Sequence, residues 1–283
     1  MMREKTMKPL KSAKVKASLK GLIGRLAVRL FPLRAKAVEQ NIGDASYGLF
    51  DRTIRAGLIR GDSSHDKISG LHQKFWAGAE GTAFARRNSA RFESWFLAEH
   101  AEIVDAIEAL LTADDYQYQC LYEIGCGDGQ VINYLSTRLH SVDHFVGIDI
   151  NDHVIAMNKQ KFGNNRLEFI CANAVDWIWE NSRPCSVFFS NGGVLEYFSK
   201  KQLTGLLQKI HGDFRPSVFA IIEPVAPDFE ADAEIASRPY GKEWSFTHNY
   251  RYLFESNGFA VHYHRESQAG GHRWVLMVVR TDD

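Results

Sequence analysis

Apolar residues in the first 115 positions recur mainly at helical spacing, and beyond Asp114–Asp115 they gather into short continuous runs separated by amphipathic stretches. The clearest early segment, RFESWFLAEHAEIVDAIEALL, sets Phe92, Trp95, Phe96, His100, Ile103, Ile107 and Leu110 near one face, the spacing of a helix that buries one side. No strand-like alternation interrupts residues 37–115, which therefore read as an N-terminal helical cap. From residue 116 onward QCLYEI, DHFVGIDI, LEFICA, CSVFFS and SVFAIIE have strand length, and helical segments follow the first four near 128–138, 152–161, 174–181 and 199–212. Continuous apolar strands alternating with helices predict a parallel sheet covered on both faces, an α/β fold. The last two runs, FAVHYHRE and HRWVLMVVRT, are joined only by SQAGG. A link that short holds no crossover helix, so these strands should form an antiparallel hairpin.

Composition changes this picture little. A chain of 283 residues that is 45% hydrophobic and 12% aromatic has an ordinary globular core. No apolar run reaches the roughly 18 residues of a membrane-spanning helix. Cys120, Cys126, Cys171 and Cys185 lie in or beside strand-like runs without a close CxxC pair, which points to reduced thiols in a cytoplasmic protein and to no metal site.

Charge changes it more. Residues 1–36 carry eleven Lys or Arg and one acid, Glu4, about +10 by count; the whole chain is neutral, so the rest is about −10. An acidic body argues against general nucleic-acid binding, which needs a basic surface. Within the basic arm, Val15, Leu19, Leu22, Ile23, Leu26 and Leu30 form an apolar stripe flanked by Lys14, Lys16, Lys20, Arg25 and Arg29, before Pro32 ends or kinks the helix. A helix over residues 14–31 of this kind suits an anionic membrane surface, peripherally at the inner face. A mobile basic tail, a helix docked on the domain and a targeting peptide share the same composition.

The stretch LYEIGCGDGQ ends the first strand and opens a helix, where an open parallel sheet binds nucleotide-like ligands. Gly125, Gly127 and Gly129 permit a tight turn and close approach of a ligand to the backbone. The spacing is G-x-G-x-G, not the G-x-G-x-x-G of dinucleotide sites. A pyrophosphate here would sit near Asp128 and Glu123, and two unit charges about 5 Å apart at an effective dielectric of about 20 repel by roughly 3 kcal/mol. That offsets much of what a helix N-terminus offers an anion. A ligand carrying an ammonium and a sulfonium turns the same carboxylates into an asset. Asp149 ends the second strand, 24 residues after Gly125, and can accept hydrogen bonds from both hydroxyls of a ribose. CANA ends the third strand, where Asn173 can meet an adenine edge and Ala174 supplies a backbone amide. Asp149 and Asn173 each lead a helix, so capping is an alternative role for either.

LYEIGCGDGQ, VGIDIN, FICANAVDW and VFFSNGGVLEYF resemble the successive motifs of class I S-adenosylmethionine-dependent methyltransferases, over about residues 116–283. The resemblance implies a Rossmann-like, seven-stranded, mostly parallel sheet with a reversed final strand, and S-adenosyl-L-methionine as cofactor. It implies that Gly125, Gly127 and Gly129 line the methionine portion, with Glu123 orienting that turn and its amine. Asp149 would hold the ribose, Ile150 would pack on the adenine, and Asn173 with Ala174 would meet its edge. Ser190 and Asn191, closing the fourth strand, would lie under the sulfonium. Asn173 stands where the third motif often has Asp; its amide keeps both a donor and an acceptor.

Methyl transfer from a sulfonium is an in-line displacement with an activated donor, so the protein mainly aligns a nucleophile and excludes water. A hydroxyl acceptor gains from a general base. Glu196 and Tyr197 in GGVLEYF and His248 in SFTHNY are the candidates. A capping or surface carboxylate is the other reading of Glu196, and the first turn of a helix capped by Thr247 that of His248. The long segment 226–246 reads as a lid or as a solvated acidic loop. As a lid it would bring Tyr240, Glu243 and Trp244 to the acceptor, beside Tyr197 and the cap residues Phe75 and Trp76, whose alternative is plain core packing. The expected activity is metal-independent transfer to a hydroxyl, less so an amine, of a small-molecule, glycan or lipid-linked acceptor. A non-catalytic scaffold that binds the cofactor is the alternative from another class.

Overall fold

The computed structural model describes residues 21–44, 46–61, 64–113 and 115–281. Val15, Leu19, Lys14, Lys16 and Lys20 of the basic arm lie outside the described residues. Residues 21–30 are helical (α1). Then come α2 (Pro32–Gln40), α3 (Leu49–Gly61), α4 (His65–Ala77), α5 (Ala79–Arg87), a π-helical turn (Phe92–Leu97) and α6 (Glu102–Ala113). Pro32 opens α2, the helical position where a missing N–H costs nothing.

The continuous helix expected over residues 91–111 is broken. His100 is fully buried, with Nδ1 3.2 Å from the Trp95 carbonyl oxygen and Nε2 2.9 Å from Ser267 Oγ. This imidazole spans the junction between the wider π turn and α6, and ties it to Ser267 near the C-terminus. Phe96, Ile103 and Ile107 still face inward; the apolar spacing predicts the buried face but not the break.

The second part is β1 (Cys120–Ile124), α7 (Gln130–Arg138), β2 (His144–Asp149), α8 (Asp152–Lys161), β3 (Leu167–Cys171), α9 (Ala174–Asn181), β4 (Ser186–Asn191), α10 (Lys200–Asp213) and β5 (Ser217–Val225). It continues through a small hairpin, β6 (Arg238–Tyr240) and β7 (Ser245–Thr247), then α11 (Tyr250–Glu255), β8 (Phe259–Ala269) and β9 (His272–Thr281). One seven-stranded sheet has the order β3-β2-β1-β4-β5-β9-β8; β1 to β5 are parallel neighbours and β9 runs antiparallel to both β5 and β8. This is the Rossmann-like, seven-stranded, mostly parallel arrangement expected from the sequence. Alternation along each strand feeds two cores: Leu121 and Val187 pack with α6 and α7, while Tyr122 and Phe188 pack with α9 and α10.

Two boundaries differ from the expectation. The β8–β9 link is two residues, Gly270 and Gly271, with φ of 58° and 78°. Two consecutive positive φ values allow the tightest hairpin turn, so the polar residues Ser267 and Gln268 remain in the strand. The segment 226–246 carries the β6–β7 hairpin, so part of it is ordered structure of its own.

Strand order reverses between β1 and β4. Such a reversal is where an open parallel sheet binds ligands, at the C-terminal ends of its strands.

Candidate active site

At the β1 end, the Gly127 amide donates to Asp149 Oδ2 at 3.0 Å, and the Asn151 amide donates to Asp149 Oδ1 at 2.9 Å. The glycine turn and the end of β2 are therefore one unit. Asn151, not Asp149, caps α8 through the Val154 amide. Each Asp149 oxygen accepts one backbone bond and keeps a lone pair for a ligand. Burial pushes its pKa up.

Gly125, Gly127 and Gly129 all have positive φ. A Cβ on Gly125 would meet a Val194 methyl at 2.6 Å, whereas one on Gly127 would meet nothing within 4 Å. The turn is packed at its start and open at its middle. Beside it Glu123 is 2% exposed, and its Oε2 has no hydrogen-bond partner. Burial, then the Asp128 and Asp149 charges, push its pKa well above the usual carboxylate range. A ligand cation at that oxygen would stabilise the ionised form. The orphaned carboxylate oxygen beside a bare, open turn fits a cationic amine.

At the β3 end, Asn173 caps α9, its Oδ1 accepting the Val175 amide at 3.0 Å. Both readings of Asn173 are thus compatible: the oxygen is used by the helix, and the NH2 remains for a ligand. Ile150 is half-buried and Ala174 buried nearby.

The end of β4 holds a network that begins with Glu223, the acid near the end of β5. Its carboxylate accepts the Ser190 hydroxyl at 2.7 Å and the amides of Val194 and Leu195 at 3.2 and 3.1 Å. It thereby shapes the turn through Gly192 and Gly193. Ser190 is fully buried and its hydroxyl is committed to Glu223, while Asn191 Oδ1 is buried without a partner. Burial raises Glu223 to about 7. One turn on, Glu196 is buried, accepts the Tyr240 hydroxyl at 3.0 Å, and is raised to about 8, again by burial first.

The cap and the 226–246 segment converge on the same turn. The Tyr197 hydroxyl donates to Glu243 at 2.9 Å, and its ring lies 5.2 Å from Trp76 and 5.0 Å from His72. His72 Nε2 lies 3.2 Å from the Trp244 carbonyl oxygen, and Arg60 of α3 donates to the Lys242 carbonyl. Trp244 has φ of 65°, a strained conformation for so bulky a residue. Trp76 also packs on Phe75 and Phe84, and its indole N–H is buried without an acceptor. Tyr197, Trp76, Tyr240 and Trp244 are thus brought around the β4 turn.

His248 lies behind the β4 turn, against the backbone of Leu195 and Phe198 that flank Glu196 and Tyr197. It precedes α11, whose cap is Asn249 and not Thr247; Thr247 ends β7, where its hydroxyl accepts the Ala226 amide. Fully buried and 2.7 Å from Ser237 Oγ, His248 has its pKa lowered to about 3 by burial. It lines a separate open cleft of about 750 Å³ that shares no residue with the glycine turn.

Two residues were not anticipated from the sequence. Glu223 had a signal, an acid interrupting the otherwise apolar run SVFAIIE. Arg91 had none; its half-buried guanidinium lies 4.8 Å from the Trp95 ring and 5.9 Å from Phe84, and it pairs with no carboxylate among the described residues. Among the described residues no group of His, Cys, Asp or Glu is arranged to hold a metal ion.

The family described as "Methyltransferase domain" matches residues 121–217. The sequence matches no curated protein. Among solved structures, the chain is similar to the magnesium protoporphyrin IX methyltransferase of Synechocystis PCC 6803 with bound S-adenosylmethionine, at 13% identity and a TM-score of 0.52, over 76% of this chain and 97% of that one. The same enzyme with S-adenosylhomocysteine gives a TM-score of 0.51 at 13% identity, over 76% and 99%. An S-adenosylmethionine-dependent methyltransferase of Leishmania major gives 0.51 at 13% identity, over 75% and 82%. At these identities the likeness concerns the fold.

Proposed function

From the premise that this chain is a class I S-adenosylmethionine-dependent methyltransferase, we propose that it methylates a hydroxyl, with an amine as the less favoured acceptor, on a small-molecule, glycan or lipid-linked substrate. The proposal places the enzyme in the cytoplasm, peripherally at the inner face of a membrane through its basic arm. When bound, S-adenosylmethionine supplies a methyl group on positively charged sulfur. Glu123 would hold its amine, the turn Gly125 to Gly129 its methionine chain, and Asp149 its ribose. Ile150, Asn173 and Ala174 would hold the adenine. Asn191 would lie beneath the sulfonium, with Ser190 acting through Glu223 to fix the turn.

The observation that supports an oxygen acceptor is Glu196, buried against Tyr240 at the β4 turn. Ionised, it takes the proton of the acceptor hydroxyl as the oxygen gains the methyl, and Tyr240 donates a hydrogen bond to the carboxylate. Tyr197, Trp76 and Trp244 form the apolar wall that excludes water. His248 is a poor base in this reading, because an imidazole lowered to about 3 accepts a proton weakly at neutral pH.

With Glu196 raised to about 8, kcat/KM for a hydroxyl acceptor should rise with pH through that value. Glu196→Gln should lower kcat by about 10²–10⁴-fold and remove the rise. Formation of S-adenosylhomocysteine from a cell-extract acceptor pool measures both. A profile that Glu196→Gln leaves unchanged rejects the base. Tight cofactor binding with no product across broad extracts favours the scaffold alternative.

A further inference from the structure

Helix α1 is attached to the protein through its smallest residues. Gly21, Gly24 and Ala27 are buried, and α1 runs antiparallel to α3: Gly24 meets Gly57 at one end, and the Phe31 and Phe50 rings lie 5.1 Å apart at the other. A Cβ on Gly24 would lie 2.6 Å from the Gly57 nitrogen, so the two backbones touch and no side chain fits between them. The large apolar residues are consequently turned outward. Leu22, Ile23, Leu26 and Leu30 are 49–63% exposed, and Phe31, Leu33, Leu49 and Phe50 continue the apolar surface. Eight of the 15 exposed large hydrophobics among the described residues fall in this one region, which is a patch and not a scatter. A helix docked on a domain by its stripe would bury these residues; here the stripe is the outer face.

We infer that this face, α1 with the adjoining ends of α2 and α3, docks on an anionic lipid bilayer. Arg25, Arg29 and Lys36 are exposed around it, and its nearby acid, Asp51, is paired with Arg34. The first 36 residues carry one acid against eleven bases, so a second copy packed on the same face would set like charge against like charge. Anionic headgroups meet the basic rim, and the interfacial layer takes the leucines and phenylalanines. The position bears on the acceptor as well. Gly21 packs on Arg60, which donates to the Lys242 carbonyl and lies 6.0 Å from the Trp244 ring. Docking would bring the acceptor wall next to the headgroups, where a membrane-linked substrate is presented.

This inference rests on the proposed peripheral location of the arm and replaces a lone helix with a folded surface. The full chain is tested by co-sedimentation with vesicles of phosphatidylcholine alone and of phosphatidylcholine with phosphatidylglycerol. Wild type should bind the anionic vesicles preferentially and release as salt rises. Leu26→Asp with Leu30→Asp should lower the partition coefficient at least about tenfold, with cofactor affinity unchanged by calorimetry. Binding by this variant equal to wild type would assign lipid binding to the rest of the arm and overturn the surface. Wild type left in the supernatant would overturn the location and the surface together. A wild-type dimer in sedimentation velocity that the variant dissolves would assign the face to a second copy. Cofactor calorimetry and product formation read the methyl-transfer proposal separately.

Discussion

Asp149 shows how one side chain serves the fold and the ligand together. Its two oxygens hold the Gly127 and Asn151 amides, which fixes the carboxylate at the C-terminal end of β2 with acceptor capacity left over. Two charged hydrogen bonds to a ribose, each worth about 1.5–3 kcal/mol, should therefore be lost in Asp149→Ala. Calorimetry with S-adenosylhomocysteine should show at least a tenfold weaker Kd, and an unaltered Kd would remove Asp149 from the site. The sequence made this residue legible because an acid terminates an apolar strand at a fixed distance from the glycines. It left Arg91 illegible, because an arginine in a helical segment looks the same whether it faces water or lies against Trp95.

Among elements, the β1–α7 turn and the turn after β4 press on each other. Gly125 abuts Val194, while Gly127 faces open space; a Cβ at either position meets positive φ, a strain of about 1–2 kcal/mol. Only Gly125→Ala adds a steric clash. Thermal unfolding should show a clearly larger loss of Tm for Gly125→Ala than for Gly127→Ala, while cofactor affinity should fall in both. Equal Tm losses would mean that the contact with Val194 relaxes freely. The motif spacing predicted three glycines in one turn, but not that Gly125 packs on Val194 and Gly129 on Phe162 and Phe169 while Gly127 alone is open.

Over the whole molecule, buried acids set the dependence of stability on pH. Glu196 and Glu223 are raised from 4.5 to about 8 and about 7, so the folded protein binds more protons than the unfolded chain between these values. The stability they contribute is full below about pH 4.5 and is lost as pH rises through 7 and 8, on the order of several kcal/mol. His248, lowered to about 3, acts oppositely, and its contribution is lost as pH falls below 6.5. Tm should fall between pH 6 and 8.5, with a shallower slope in Glu196→Gln; equal slopes would exclude Glu196 as the source. The sequence by itself determined the α/β order, the reversed last strand and the glycine turn with its carboxylates. Those follow from local periodicity, backbone permission and charge within a few neighbouring residues. Only the tertiary structure decided that Glu223 organises the β4 turn, that the cap and the 226–246 segment meet on Tyr197, and that α1 turns its leucines outward. These depend on which surfaces come within contact distance between residues 28 apart in the chain, as Leu195 and Glu223, to 172 apart, as His72 and Trp244, and on small facing residues such as Gly24 and Gly57, whose effect exists only when the two backbones meet.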